Sequence, residues 1–146
     1  PLITTDKRYI RTETEKNIEE LSRKTQELQI KISDYVKENP VSFTRGSYNP
    51  TKKSEKTIEM VFETLKEFEN LRIEVAGHTD AVGAAKLNQT ISLKRAEAVK
   101  DKLVLLGVSE DRIIARGYGE DIPFVKNSAK GYSKINRRVE FNIIEE

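Results

Sequence analysis

The chain has no cysteine and no tryptophan, one histidine (His78), one methionine and four prolines among its 146 residues. Without cysteine there can be no disulfide and no thiolate zinc site. With a single histidine, any metal site built from two or more histidines is excluded as well. No apolar run approaches the ~18–20 residues that a membrane span needs. There is no basic-then-apolar leader, and residue 1 is Pro rather than Met. The sequence therefore reads as a processed or excised soluble piece. Any leader or membrane anchor would lie outside it, and membrane contact would run only through such segments. Low-complexity tracts and internal repeats are also missing.

An excess of one charge is missing too. Lysine and arginine number 26 against 24 aspartates and glutamates, for a net charge of +2. The first 40 residues carry 8 of each sign. No basic block stands out along the sequence, so nucleic acid is not supported as a partner.

What the chain does have is length enough for one domain with a real core, and clear periodicity. Residues 1–12 read as an irregular arm. From about 12 to 38 the pattern is helical, with Ile18, Leu21, Thr25, Leu28, Ile32 and Tyr35 in a heptad register. Such a stripe serves either a helix packed on its own domain or a short coiled coil that would make the protein a homodimer. Pro40 ends the helix. Residues 1–39 thus form an arm and long helix ahead of a domain at 40–146. In that domain the pattern predicts a strand at Val41–Thr44 and a helix over 54–69, with Ile58, Val61, Phe62, Leu65 and Phe68 on its buried face. A second strand at 71–76 follows. Ser92 is the expected N-cap of a third helix that buries Ala96, Val99, Leu103 and Leu106 and stops at Gly107. Strands at 112–116 and 138–144 close the chain, the last with Val139, Phe141 and Ile143 on one face. The predicted fold is α/β: a two-layer βαβαβ-β sandwich with a mixed sheet of about four strands and an N-terminal helix.

Catalytic machinery is not visible. Cysteine nucleophiles are absent, a serine triad would have to use His78, and no Gly-x-Ser-x-Gly elbow occurs. The Gly117-Tyr118-Gly119 turn is too short for a dinucleotide loop. The chain is read as no enzyme, with no cofactor and no metal.

The unusual stretch is Gly77 to Arg95. Asp80 lies just past a strand end, at the edge where α/β sheets bind ligands. With Ser92 as N-cap, Arg95 falls in the first turn of the helix, where the dipole disfavours a cation. Arg95 with free helix N–H groups would suit a carboxylate, and Asp80 an ammonium, so the two complement the zwitterionic head of an α-amino acid. On residues alone, the alternative that Asp80 and Arg95 pair only with each other stays open.

Gly77-His78-Thr79-Asp80, Gly83, Asn88, Ser92, Arg95-Ala96 and Val99 closely resemble the signature of the OmpA-like C-terminal domain family. Gly117-Tyr118-Gly119-Glu120, Pro123 and Asn136 to Phe141 look like its closing motifs, and Val41-x-Phe43 with Gly46-Ser47 is similar to its first strand and loop. The resemblance spans residues 40–146; Ile91 replaces the usual leucine. It implies non-covalent binding of peptidoglycan in the periplasm of a Gram-negative bacterium, with attachment to the outer membrane or cell envelope outside this chain. It implies that Asp80 and Arg95 hold the diaminopimelate of the stem peptide, with Thr79, Asn88, Ile91 and Arg137 on the rim. For Ile91 plain packing, and for Arg137 a sheet-end salt bridge, are equally good readings. His78 reads as a structural residue at the strand end. A porin, a lipoprotein or a stator-like parent fits equally. The rival function is a dimerisation or assembly module with an idle pocket.

Overall fold

Ile73, Val75 and Gly77 alternate with Glu74, Ala76 and His78, and this period of two builds the central strand of the sheet. The computed structural model describes residues 22–44 and 46–145. The arm at 1–12 and the start of the expected first helix, with Ile18 and Leu21, lie outside the described residues. The elements are α1 (Arg23–Glu38), α2 (Glu55–Glu67), β1 (Arg72–His78), α3 (Ala85–Leu106), β2 (Ile113–Gly119) and β3 (Arg138–Glu145), with short 3-10 turns at Lys52–Ser54 and Glu110–Arg112. The sheet order is β2-β1-β3, with β1 parallel to β2 and antiparallel to β3. The sheet is mixed and α/β, as expected.

One face of the sheet is apolar. Ile73 and Val75 on β1, Ile113 on β2, and Val139, Phe141 and Ile143 on β3 are buried with Ile58, Val61 and Leu65 of α2 and Ala96, Val99 and Leu103 of α3. α3 lies close on β1 and β2 because two strand positions are glycine. A Cβ at Gly77 would land on the Ser92 carbonyl, and one at Gly117 on the Leu93 backbone. Leu106, expected in the core, is exposed at the helix end. The opposite face is polar and hydrogen-bonded: Tyr118 donates to Glu74 Oε2 at 2.5 Å, and Asn142 Nδ2 donates to Glu74 Oε1 at 3.1 Å. Arg112 closes the lower end by donating to the Leu65, Phe68 and Leu71 carbonyls, capping the C-terminus of α2.

Two expectations are corrected. The sheet has three strands among the described residues, because Val41–Thr44 makes only an isolated bridge between Phe43 and Pro50. The Ser42 N–H is spent on Ser54 Oγ at 2.8 Å, and the Ser42 carbonyl accepts from Thr51 N–H at 2.9 Å. The outer edge of β3 is already covered by α1: the fully buried Gln29 donates to Phe141 O at 3.0 Å and accepts from Ile143 N–H at 2.6 Å. One amide side chain thus mimics a neighbouring strand and blunts the edge. This also rotates the helix relative to the heptad seam. Thr25, Gln29 and Ile32 face inward, whereas Leu28 and Tyr35 flank a groove shared with Met60 and Phe68 of the α2 layer.

The second correction concerns α3. It starts at Ala85 with Ala84 as an uncapped N-cap residue, so Ser92 sits inside the helix. Ser92 Oγ donates to Gln89 O at 2.9 Å and accepts from Gly119 N–H at 2.9 Å, which pins the helix to the end of β2. Serine is favoured both at N-caps and in bonds back to the preceding turn, and sequence alone does not separate the two uses.

Candidate functional site

The site forms where β1 ends. Thr79 N–H extends the pairing with β2 by donating to Gly119 O at 2.8 Å, and Thr79 Oγ1 donates to Asp80 O at 2.8 Å. This fixes the turn that presents Asp80. Asp80 is buried, with its side chain 7% exposed. Oδ1 accepts from Val82 N–H at 3.2 Å; Oδ2 accepts from Ser133 N–H at 3.2 Å and lies 3.3 Å from Arg137 Nε. A carboxylate offers about four acceptor positions, so roughly one is left for a ligand.

Asn88, in the first turn of α3, ties the turn down. Its Nδ2 donates to Val82 O at 2.9 Å and to Glu120 Oε1 at 3.2 Å. Asn88, Ile91 and Arg95 follow at spacings of three and four, so they share one stripe of α3. Ile91 is half-buried on that stripe.

Arg95 lies in the third turn of α3, not the first, so the helix dipole does not bear on it. Nor does it pair with Asp80; Asp80 pairs with Arg137 instead. The guanidinium of Arg95 sits 4.9 Å over the Phe43 ring, and its Nε donates to Ser47 O at 3.4 Å. Its two terminal nitrogens make no hydrogen bond among the described residues, and no carboxylate there reaches it. Burial lowers its pKa from the ordinary value; Tyr48 opposes that shift and the nearby Arg137 adds to it. A half-buried cation held at its root, with a free fork, is suited to grip a planar anion.

His78 lies outside this arrangement. It is buried, its ring stacks on Tyr118 at 5.1 Å between centroids, and Nε2 lies 3.6 Å from Glu140 Oε1. Burial pushes the Glu140 carboxyl up, but the facing His78 ring and the Arg138 guanidinium outweigh it and hold it at about 2. No group of three or more His, Asp or Glu among the described residues could hold a metal ion. No helix there is long and apolar enough to cross a membrane.

Residues 42–137 match the model of the OmpA family. The chain belongs to the OmpA family. Outer membrane porin F of Pseudomonas fluorescens is 38% identical over 86 residues, 59% of this chain and 26% of that protein. The probable lipoprotein YiaD of Escherichia coli is 33% identical over 105 residues, 72% of this chain and 48% of that protein. The chain thus spans from about a quarter to about half of these relatives. The peptidoglycan-associated lipoprotein of Burkholderia pseudomallei superposes with a TM-score of 0.63 at 27% identity, covering 72% of this chain and 89% of that one. As an OmpA-family domain the chain is a binding domain, not an enzyme.

Within this OmpA-family domain the structure gathers Thr79, Asp80, Asn88 and Arg137 into one hydrogen-bonded cluster. Arg95 stands beside it on the stripe shared with Asn88 and Ile91. Sequence reasoning missed three contributors: the Ser133 N–H on Asp80, and Phe43 and Ser47 beneath Arg95. A backbone N–H leaves no trace in a sequence. Phe43 and Ser47 were visible only as part of a strand and loop.

Proposed function

We propose that this domain binds peptidoglycan non-covalently, through the α-amino-acid head of diaminopimelate in the stem peptide. The single observation that carries this reading is the free fork of Arg95, a half-buried cation that meets no carboxylate among the described residues, on the helix stripe whose Asn88 ties down Asp80, a carboxylate that keeps an acceptor position open. The ligand's carboxylate would complete Arg95, and its ammonium would take the remaining position on Asp80. Thr79 and Asn88 hold Asp80 in place; Ile91 and Arg137 form the rim. The relatives' names, a porin and lipoproteins, support a periplasmic location with attachment to the outer membrane through regions outside this chain. In this reading 40–146 is the ligand-binding domain and 1–39 an arm and helix in front of it.

Calorimetry with free diaminopimelate tests the proposal. Arg95→Ala should weaken binding by about tenfold to a hundredfold, the loss of a charge-assisted fork. Its melting temperature should stay near that of the parent, because among the described residues Arg95 makes one long hydrogen bond and no ion pair. Unchanged affinity would overturn the reading.

Dimerisation through the 12–38 helix is proposed separately. Thr25 and Ile32 of the seam are consumed by the domain's own core, so among the described seam residues Leu28 and Tyr35 are left for a second chain. Sedimentation equilibrium at high concentration checks it: a 16.7 kDa species removes the dimer.

A further inference from the structure

The loop between β2 and β3 has a composition unlike the rest of the chain. Residues 122–138 contain five basic residues and no acidic one, while the remainder carries 21 basic against 24 acidic. The cations are spaced along this one loop. Lys126, Lys130 and Lys134 are exposed and meet no carboxylate among the described residues. Phe124, Tyr132 and Ile135 in the same loop are each more than half exposed.

This loop is built rather than slack. The fully buried Asn136 organises it from within, accepting from the Phe124 and Val125 N–H groups at 2.8 and 2.9 Å and donating to Val125 O at 2.7 Å. Arg138 donates to Ile122 O at 3.1 Å and stacks on Phe124. The loop is also docked on the pocket: Ala81 N–H donates to Gly131 O at 2.9 Å, and Ser133 N–H to Asp80. Tyr132 lies between those two anchors in the chain and is exposed.

We propose that the 122–138 loop is a second contact with the cell-wall polymer, taking the carboxylates of stem peptides other than the one seated at Asp80. The proposal rests on the pocket reading above. The polymer presents stem peptides repeatedly, and each carries free carboxylates. Tyr132, between the two residues docked at the pocket, offers an exposed apolar face, and the lysines lie on the same loop. Unpartnered lysines attract such anions through a field that salt screens over about 10 Å at 0.1 M. The pocket selects one head group; the loop holds the polymer around it.

The test compares three full-length chains on purified wall sacculi across a salt series. They are the parent, a variant with Lys126→Gln, Lys130→Gln and Lys134→Gln, and a control with Lys24→Gln, Lys31→Gln and Lys66→Gln. The control lysines are exposed and line grooves near Phe68, away from the loop. The loop variant should bind sacculi on the order of tenfold more weakly at low salt. It should converge with the parent at high salt and keep full affinity for free diaminopimelate. The control should match the parent. Equal retention of loop variant and parent at every salt overturns the proposal, as does an equal loss in the control. So does parent binding to phosphatidylglycerol vesicles as strong as to sacculi, which would make the loop a membrane contact. If free diaminopimelate does not bind the parent while the lysine-dependent retention persists, the pocket reading falls and the loop contact stands.

Discussion

Arg137 and Arg138 are consecutive residues that serve two different carboxylates. Arg137 meets Asp80 at 3.3 Å with a side chain 52% exposed, while Arg138 meets Glu140 at 2.6 Å with both side chains 14% exposed. Arg138 also bonds Ile122 and Asn136 carbonyls and stacks on Phe124, so it is locked from several directions. Among the described residues Arg137 has one ion pair, and half of its side chain lies in water. The difference separates scaffold from site. Where a charge pair is enclosed and hydrogen-bonded all round, it fixes the start of β3. Where one partner stays in water, the pair is screened and adds little to stability.

The largest effect should come from breaking the enclosed pair. Glu140→Ala leaves Arg138 and His78 facing an empty position, and should cost about 3–5 kcal/mol in chemical denaturation. A cost below about 1 kcal/mol would erase the distinction. Acid sharpens the same point. The Glu140 carboxyl is held at about 2, against 4.5 ordinarily. Above 4.5 it is ionised in both folded and unfolded chains. As pH falls from 4.5 towards 2 the unfolded chain takes up the proton first, so stability is lost with acid. The stability difference between the parent and Glu140→Gln should shrink by about 3 kcal/mol across that window. A difference independent of pH would mean that Glu140 is not held as described.

The smallest effect belongs to the open pair. Arg137→Ala leaves Asp80 its two backbone donors, so a thermal melt should register only about 0–1 kcal/mol. A loss as large as that for Glu140→Ala would make Arg137 a scaffold residue.

Much of the scaffold was legible because it follows from periodicity. The β1 and β3 patterns and the Ile58–Val61–Leu65 face of α2 stand in the structure as the spacing predicts. The start of α3 was not legible, since Ser92 bonds Gly119 rather than its own helix end. Nor was the missing fourth strand, since nothing local reveals that Gln29 occupies the β3 edge from far along the chain. Asp80 stood out by its place past a strand end and Arg95 by its place on the following helix, both before the resemblance of motif; the structure puts Asp80 in the turn after β1 and Arg95 on the α3 stripe that carries Asn88 and Ile91. The partner of Asp80 did not stand out, because Arg137 and the Ser133 N–H arrive through a tertiary loop. The helix-dipole reason for noticing Arg95 was also wrong. What distinguishes that arginine is the absence of a carboxylate beside it among the described residues, which only the folded chain reveals.

On the proposed reading, the fork of Arg95 takes the side-chain carboxylate of diaminopimelate. Lysine-type stem peptides lack it, and a half-buried guanidinium left unpaired costs about 1–3 kcal/mol. Calorimetric titration of the parent with diaminopimelate-type and lysine-type stem peptides tests this most directly. A preference of about tenfold or more for the diaminopimelate stem is the expected result; equal affinities would contradict it.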